Sequence, residues 1–170
     1  MKSIKSHHPS AHTIRSVWRN PIHFLAFGFG SGVLPKMPGT WGTVVAIPIY
    51  MLMMHFPLWL YALVTLLVII AGIYICDNTE REIGIHDYKG IVWDEIAGYM
   101  LTMFAVPLGW FWIIAGFVLF RIFDIWKPWP IYWLDRKISG GFGTMVDDLL
   151  AAVYAWAVLQ FIAAAYFYYD

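Results

Sequence analysis

Charge is scarce in this chain. Only 13% of its 170 residues are Asp, Glu, Lys or Arg, against roughly 25% in an ordinary soluble domain. From Met37 to Cys76 there is none at all. Cysteine is nearly missing too. Cys76 stands alone, which excludes an internal disulfide and leaves no Cys/His zinc spacing. It sits in a C-x4-R spacing to Arg81, not the C-x5-R loop of cysteine phosphatases, so it reads as a structural apolar residue. No fixed-period repeat or low-complexity tract is present, which removes repeat arrays from consideration. The length leaves room for one domain.

Apolar residues fill the space that charge leaves. They make up 61% of the chain, with 19% aromatic, and the mean hydropathy is +0.65. A soluble core of this size cannot hide so much apolar surface, so an integral membrane protein is expected. Net charge is zero, but its distribution is uneven. Lys2, Lys5, Arg15 and Arg19 precede any acid. Residues 1–20 are therefore expected to form a flexible basic arm that faces the cytoplasm, ahead of a single helical domain over 21–170. The first apolar run starts late, carries Gly39-Thr40-Trp41-Gly42 and outlasts any signal-peptide core, so no cleavage is expected.

Asn20 followed by Pro21 predicts a capped helix start. Residues 28–43 hold too much Gly and Pro for a helix interior. Thr43 to His55 predicts a short helix and Leu58 to Cys76 a transmembrane one, turning at Pro57. Asp77 to Glu95 reads as a polar loop. Ile96 to Phe120 is interrupted by Pro107 and Gly109. Gly140 to Gly143 reads as a flexible turn, and Leu149 to Tyr169 as the last helix.

Each apolar stretch ends at carboxylates: at Asp77, at Asp94-Glu95 and Asp124, and at Asp147-Asp148. Ionised groups at a bilayer edge are costly unless paired, hydrated or metal-bound, so one shared site is expected. Bringing the acids to one side requires a hairpin at Pro57 and a second, shallow re-entrant one at Pro107-Leu108-Gly109. The expected fold is all-α: a multi-helix integral membrane protein with re-entrant or short hairpin helices and a polar site facing the cytoplasm.

Four segments carry the chemistry. Gly30 to Thr43 ends at a helix start, where glycines and free amides suit an anion; a plain Gly/Pro turn explains it about as well. In Gly84 to Gly98, Asp94-Glu95 opens a charge-free stretch, and helix capping is the ordinary explanation. His86 is there a ligand or proton-shuttle candidate, and Gly98 leaves room for a ligand or a close helix. Arg121, Asp124 and Lys127 share a helix face; they form either a local ion-pair ladder or cations aimed at a phosphate. Asp135 to Asp148 ends in a second acid pair. Several carboxylates beside such cations suit hard, oxygen-liganded Mg2+.

Taken together, Gly30 to Thr43, Ile91 to Gly98, Arg121 to Pro130 and Asp135 to Asp148 resemble the bacterial phosphatidylglycerophosphatase A family, in that family's order. The resemblance covers Gly28 to about Ala152. It implies a Mg2+-dependent, multi-pass phosphatase of the bacterial inner membrane that converts phosphatidylglycerophosphate to phosphatidylglycerol, with its active site on the cytoplasmic side. Lys36 and Asp77 stay outside the catalytic set.

From chemistry, Asp94, Glu95, Asp124, Asp147 and Asp148 are the expected metal ligands. Asp94, Glu95 and Asp148 are the expected catalytic acids, with Asp94 or Asp148 as base. Arg121, Lys127, Gly39 and Thr40 are expected at the phosphate. The partners expected are the lipid substrate and the bilayer, with no nucleic acid; oligomeric state and metal count stay open. An aspartyl-phosphate route ranks lower, because the D-x-D-x-T/V signature is absent. An ion-coupled transporter or channel subunit is the alternative of another class, but it wants charges near midplane and internal symmetry. A non-catalytic assembly protein gives no reason for five recurrent carboxylates.

Overall fold

The computed structural model describes residues 11–85 and 88–169; His86 lies outside the described residues. Helices α1 (Ala11–Val17) and α2 (Pro21–Ala26) lead into a 3-10 turn over Ser31–Val33. There follow α3 (Pro38–Met53), α4 (Leu58–Ile83), α5 (Trp93–Thr102), α6 (Trp110–Trp126), α7 (Ile131–Asp135) and α8 (Gly141–Tyr169). Among the described residues there is no strand. The Asn20 side chain caps α2, accepting from the Ile22 amide at 2.9 Å with Pro21 in the first turn. The helix α1 falls inside the basic arm, and its Val17 is fully buried.

Two hairpins set the architecture. The first turns between α3 and α4 around Pro57. The second turns between α5 and α6 over residues 103–109, where Ala105 (φ 55°) and Gly109 (φ 139°) take left-handed backbone. Pro107 has no amide to donate and disfavours helix at the residue before it, which favours the reversal there. Tyr99 closes this hairpin by donating to the Ile113 carbonyl at 3.0 Å. Tyr61 ties α4 to α5 through the Met100 carbonyl at 2.7 Å. Helix α8 packs against α4, α5 and α6, presenting Ala151, Ala152, Ala155 and Leu159 as a fully buried stripe. Small residues there let the backbones approach.

Helices α4 and α8 are long and apolar enough to cross a membrane, with mean hydropathies of 2.5 and 1.8 in their most apolar windows. Only 22% and 28% of those windows are buried. Their apolar faces therefore point outward, unlike those of a soluble core helix.

Helix α5 begins at Trp93, inside the expected loop, and α6 runs past Phe120 to Trp126; three further boundaries differ from the sequence expectation for a packing reason. Helix α3 begins at Pro38, not Thr43, and takes in Gly39 and Gly42. These glycines are contact points: a side chain on Gly42 would place its Cβ 2.6 Å from that of Val92. Helix α4 continues past Cys76 to Ile83 and stops at Gly84, whose φ of 73° favours glycine. Its polar last turns hold α8, with Asp77 accepting from the Gly141 amide at 3.3 Å and Glu80 from the Thr144 hydroxyl. Helix α8 starts at Gly141, not Leu149, because Gly141 lies against α4: an added Cβ would meet the Ile73 carbonyl oxygen at 2.2 Å. Gly141 and Gly143 are thus helical and packed. Asp147 and Asp148 lie beyond the first turn of α8, so capping does not account for them.

Candidate active site

The N-terminal ends of α3, α5 and α8 and the C-terminal end of α6 meet around a cleft of about 650 Å³. Gly39, Asp94, Glu95, Arg121, Asp124, Lys127, Asp147 and Asp148 all line it. Residues remote along the chain are thereby brought together, and every site residue expected from sequence except Thr40 reaches the cleft wall. Thr40 lies on α3 beside it, with its hydroxyl buried and without a hydrogen-bond partner. The amides of Thr40 and Trp41 both bond the Met37 carbonyl, at 3.0 and 3.3 Å. Thr43 donates to the Gly39 carbonyl at 2.9 Å, within its own helix.

The five acids divide into two groups. Asp94, Glu95 and Asp148 offer oxygens that all lie within 4.8 Å of one another. Asp124 and Asp147 are instead ion-paired, Asp124 with Arg121 and Asp147 with Lys127. Arg121 also approaches Glu95 at 4.0 Å, and Lys127 approaches Asp135 at 3.4 Å. Cations therefore bracket the three-acid cluster. Asp94 accepts from the Glu95 amide at 3.1 Å, a bond made at the positive end of α5.

Burial dominates the electrostatics. Glu95, with a side chain only 13% exposed, is pushed up to about 8, first by burial and then by the nearby Asp148 and Asp124 charges; the Asp94 hydrogen bond and Arg121 pull the other way. At Lys127 burial opposes the charged form, but Asp147 and then Asp135 outweigh it and hold the ammonium well above its usual range. Lys127 stays a fixed cation across the physiological range.

Glu95 Oε2 and Asp148 Oδ2 are buried without hydrogen-bond partners. Buried carboxylate oxygens left so are costly. An all-oxygen set of this kind fits a hard divalent cation such as Mg2+ and offers nothing to soft-metal chemistry.

Gly39 matters here through its missing side chain. A Cβ would stand 2.1 Å from Glu95 Oε1 and 3.0 Å from Arg121 Nη1. Gly39→Ala is therefore expected to displace Glu95 and lower activity at least about tenfold, the scale of losing ligand support. The helical circular dichroism spectrum should not change. Unchanged kinetics would show that the close approach is not needed.

Gly98, where room for a ligand or a helix had been open, serves the helix: its Cβ would fall 2.7 Å from the Phe120 ring. Asp77 pairs with Arg81 at 2.9 Å, and neither Asp77 nor Lys36 lines the cleft. Cys76 is buried and free. Sequence reasoning gave no role to Lys89, which lines the cleft, or to Asp135. Both stood in flagged segments, but only the fold brings Asp135 to Lys127.

These features define a class: an all-helical, strongly apolar protein whose carboxylate-and-cation cleft suits a phosphate ester. The profile of the phosphatidylglycerophosphatase A family matches residues 24–163, and the chain belongs to that family. It is 51% identical over 144 residues to Phosphatidylglycerophosphatase A of Escherichia coli (strain K12), covering 84% of each chain. To Phosphatidylglycerophosphatase A of Haemophilus influenzae it is 44% identical over 142 residues, covering 82% of this chain and 87% of the relative. No solved structure matches. Family membership disfavours the transporter alternative.

Proposed function

We propose that this protein hydrolyses the terminal phosphate monoester of phosphatidylglycerophosphate, giving phosphatidylglycerol and inorganic phosphate. The reaction is Mg2+-dependent and takes place on the cytoplasmic side of the bacterial inner membrane. The observation that carries this reading is the meeting of Asp94, Glu95 and Asp148 with Arg121 and Lys127 in one cleft, at the end of helices apolar enough to hold a lipid's tails in the bilayer.

Helices α4 and α8 cross the bilayer, and the α3 and α5–α6 segments complete a multi-pass fold. Helix α5 is too short to cross, since ten residues rise about 15 Å; it forms the re-entrant arm. Leu66, Ile70, Ile114 and Phe161, each more than half exposed, face acyl chains. Trp126 and Trp129, 71% and 82% exposed beside the cleft end of α6, sit at the headgroup level.

Arg121 and Lys127 bind the terminal phosphate and neutralise its charge, while Gly39 and Thr40 bound it from the α3 side. Asp94 or Asp148 takes a proton from the attacking water, whose oxygen adds to phosphorus as the bond to the glycerol oxygen breaks. The departing oxygen takes up a proton and leaves as a hydroxyl. Asp94, Glu95 and Asp148, with Asp124 and Asp147, are the residues that would hold Mg2+, which when bound supplies Lewis-acid neutralisation and a more acidic water.

Purified protein in detergent should release phosphate from phosphatidylglycerophosphate with Mg2+ and not with a chelator. Protein quenched with acid during turnover should carry no acyl phosphate, and borohydride reduction of it should leave every aspartate unchanged. Absence of phosphate release would sink the assignment; a trapped acyl phosphate would replace direct water attack with an aspartyl-phosphate.

A further inference from the structure

Lys89, Arg121 and Lys127 are the cations that line the cleft among the described residues. Arg121 is held on Asp124 and Lys127 on Asp147. The Lys89 ammonium has no ion-pair partner among the described residues. Its loop is nevertheless fixed from beneath. Tyr88 and Ile91 are buried, and the Tyr88 ring leans on that of Phe27 with centroids 5.8 Å apart. The Ile91 amide donates to the Tyr88 carbonyl and the Val92 amide to the Ala26 carbonyl, both at 2.8 Å. Gly90 lies so close to Gly32 that a Cβ on Gly32 would stand 2.0 Å from the Gly90 carbonyl oxygen. Between these anchors only Lys89 is exposed. The cluster acids Asp94 and Asp148 are buried, so an exposed residue lining the same cleft stands at its mouth. Met37 and Ile125, also lining and exposed, share that mouth.

We propose that Lys89 is a specificity-determining residue that binds the second anion of the substrate, the phosphodiester joining the glycerol headgroup to the lipid. This rests on the phosphatase reading above and names a subsite within it. Phosphatidylglycerophosphate carries a phosphate at each end of its headgroup glycerol, one a terminal monoester and the other a diester. The monoester belongs among the buried acids and their paired cations, where it is cleaved. The diester then lies across the glycerol, toward the mouth and the acyl chains. It keeps its negative charge and has no proton to give, so it calls for donors, and a lysine ammonium offers them without an acceptor. Lys89 does so without first leaving an acid. A cleft of about 650 Å³ has room for both phosphates, since small-molecule sites run from ~300 to ~1,000 Å³. The exposed Met37 and Ile125 side chains suit the lipid side of the diester. Because the charge of the diester is the same before and during the reaction, Lys89 serves binding and leaves the chemical step unaltered.

The test is steady-state phosphate release by the full chain in mixed detergent micelles containing phosphatidylglycerophosphate and Mg2+. Lys89→Gln should raise KM about three- to tenfold with kcat held within about twofold, the mark of an interaction made equally in ground and transition states. Lys89→Arg keeps the charge and should restore KM. Lys36→Gln is the control. Lys36 is exposed between the cleft residues Pro35 and Met37 but does not line the cleft, so its loss removes the same surface charge and should leave KM unchanged. Unchanged KM in Lys89→Gln, or a rise that Lys89→Arg does not relieve, overturns the proposal. So does an equal rise in Lys36→Gln, which would reduce Lys89 to general attraction of an anionic lipid. A fall in kcat larger than the rise in KM overturns it too, by placing Lys89 on the transferred phosphate. Each of these results leaves the phosphatase assignment standing, whereas no phosphate release by the wild-type chain removes that assignment and this inference together.

Discussion

Asp148→Asn is expected to lower turnover by on the order of 1,000-fold while leaving the protein folded, and Asp94→Asn should do the same. Asparagine keeps the shape and removes the charge. Asp148 is 4% exposed and Asp94 8%, and both belong to the three-acid cluster. A substituted amide neither accepts the water proton nor supplies the negative charge that a cation requires. Losses of two to three orders of magnitude are usual for removing one group that acts on a developing charge. Stability should move the other way. Burial and the crowding of three acids whose oxygens lie within 4.8 Å disfavour their charged forms, so replacing one by a neutral amide should hold or raise the metal-free melting temperature. Activity lost at undiminished stability marks an acid kept for function. Phosphate release and thermal melts on the same preparations check both halves. Normal activity in both variants would remove these residues from the site.

Cation binding should strengthen steeply with pH. Burial, followed by the charges of Asp148 and Asp124, raises Glu95 to about 8, so without metal it carries a proton at pH 7. A divalent cation needs the ionised carboxylate, and binding therefore releases that proton. The sign follows. Below about pH 8, each unit of acidification should weaken binding at least about tenfold for the Glu95 proton displaced. Between pH 8 and pH 6 the Glu95 proton alone predicts a change of about 50-fold. Calorimetry in buffers of different ionisation enthalpy counts the proton directly. Burial and the neighbouring acids raise Asp148 as well, so Glu95→Gln should reduce the release and the slope without abolishing them; a flat profile in the wild type would mean that neither acid is a ligand.

The acids that line the cleft were legible in sequence because a carboxylate beside a long apolar run is expensive wherever it lies. Asp94, Glu95, Asp124, Asp147 and Asp148 all stand at such edges, and all line one cleft. The reversals at Pro57 and Pro107–Gly109 were legible for a local reason, since proline and glycine disfavour helix and here fall between two apolar runs. Helix starts were not. Gly39, Gly42 and Gly141 read equally as turn or as close contact, and the choice belongs to Glu95, Val92 and Ile73, distant in the chain, which press against them. The division of the acids was hidden as well. Asp147 and Asp148 are adjacent, yet one meets Lys127 and the other joins the cluster, because neighbouring helix residues point about 100° apart. The substrate came from the family resemblance and not from composition: a carboxylate-and-cation cleft suits many phosphate esters.

The central claim is that acids from α5 and α8 form one divalent-cation pocket. Mn2+ titration of the wild-type chain and of an Asp94→Asn/Asp148→Asn variant at pH 8, read by electron paramagnetic resonance, tests it most directly. The account predicts saturable binding to the wild type, displaced by Mg2+ and lost in the variant. Equal Mn2+ affinity in the two proteins would contradict it.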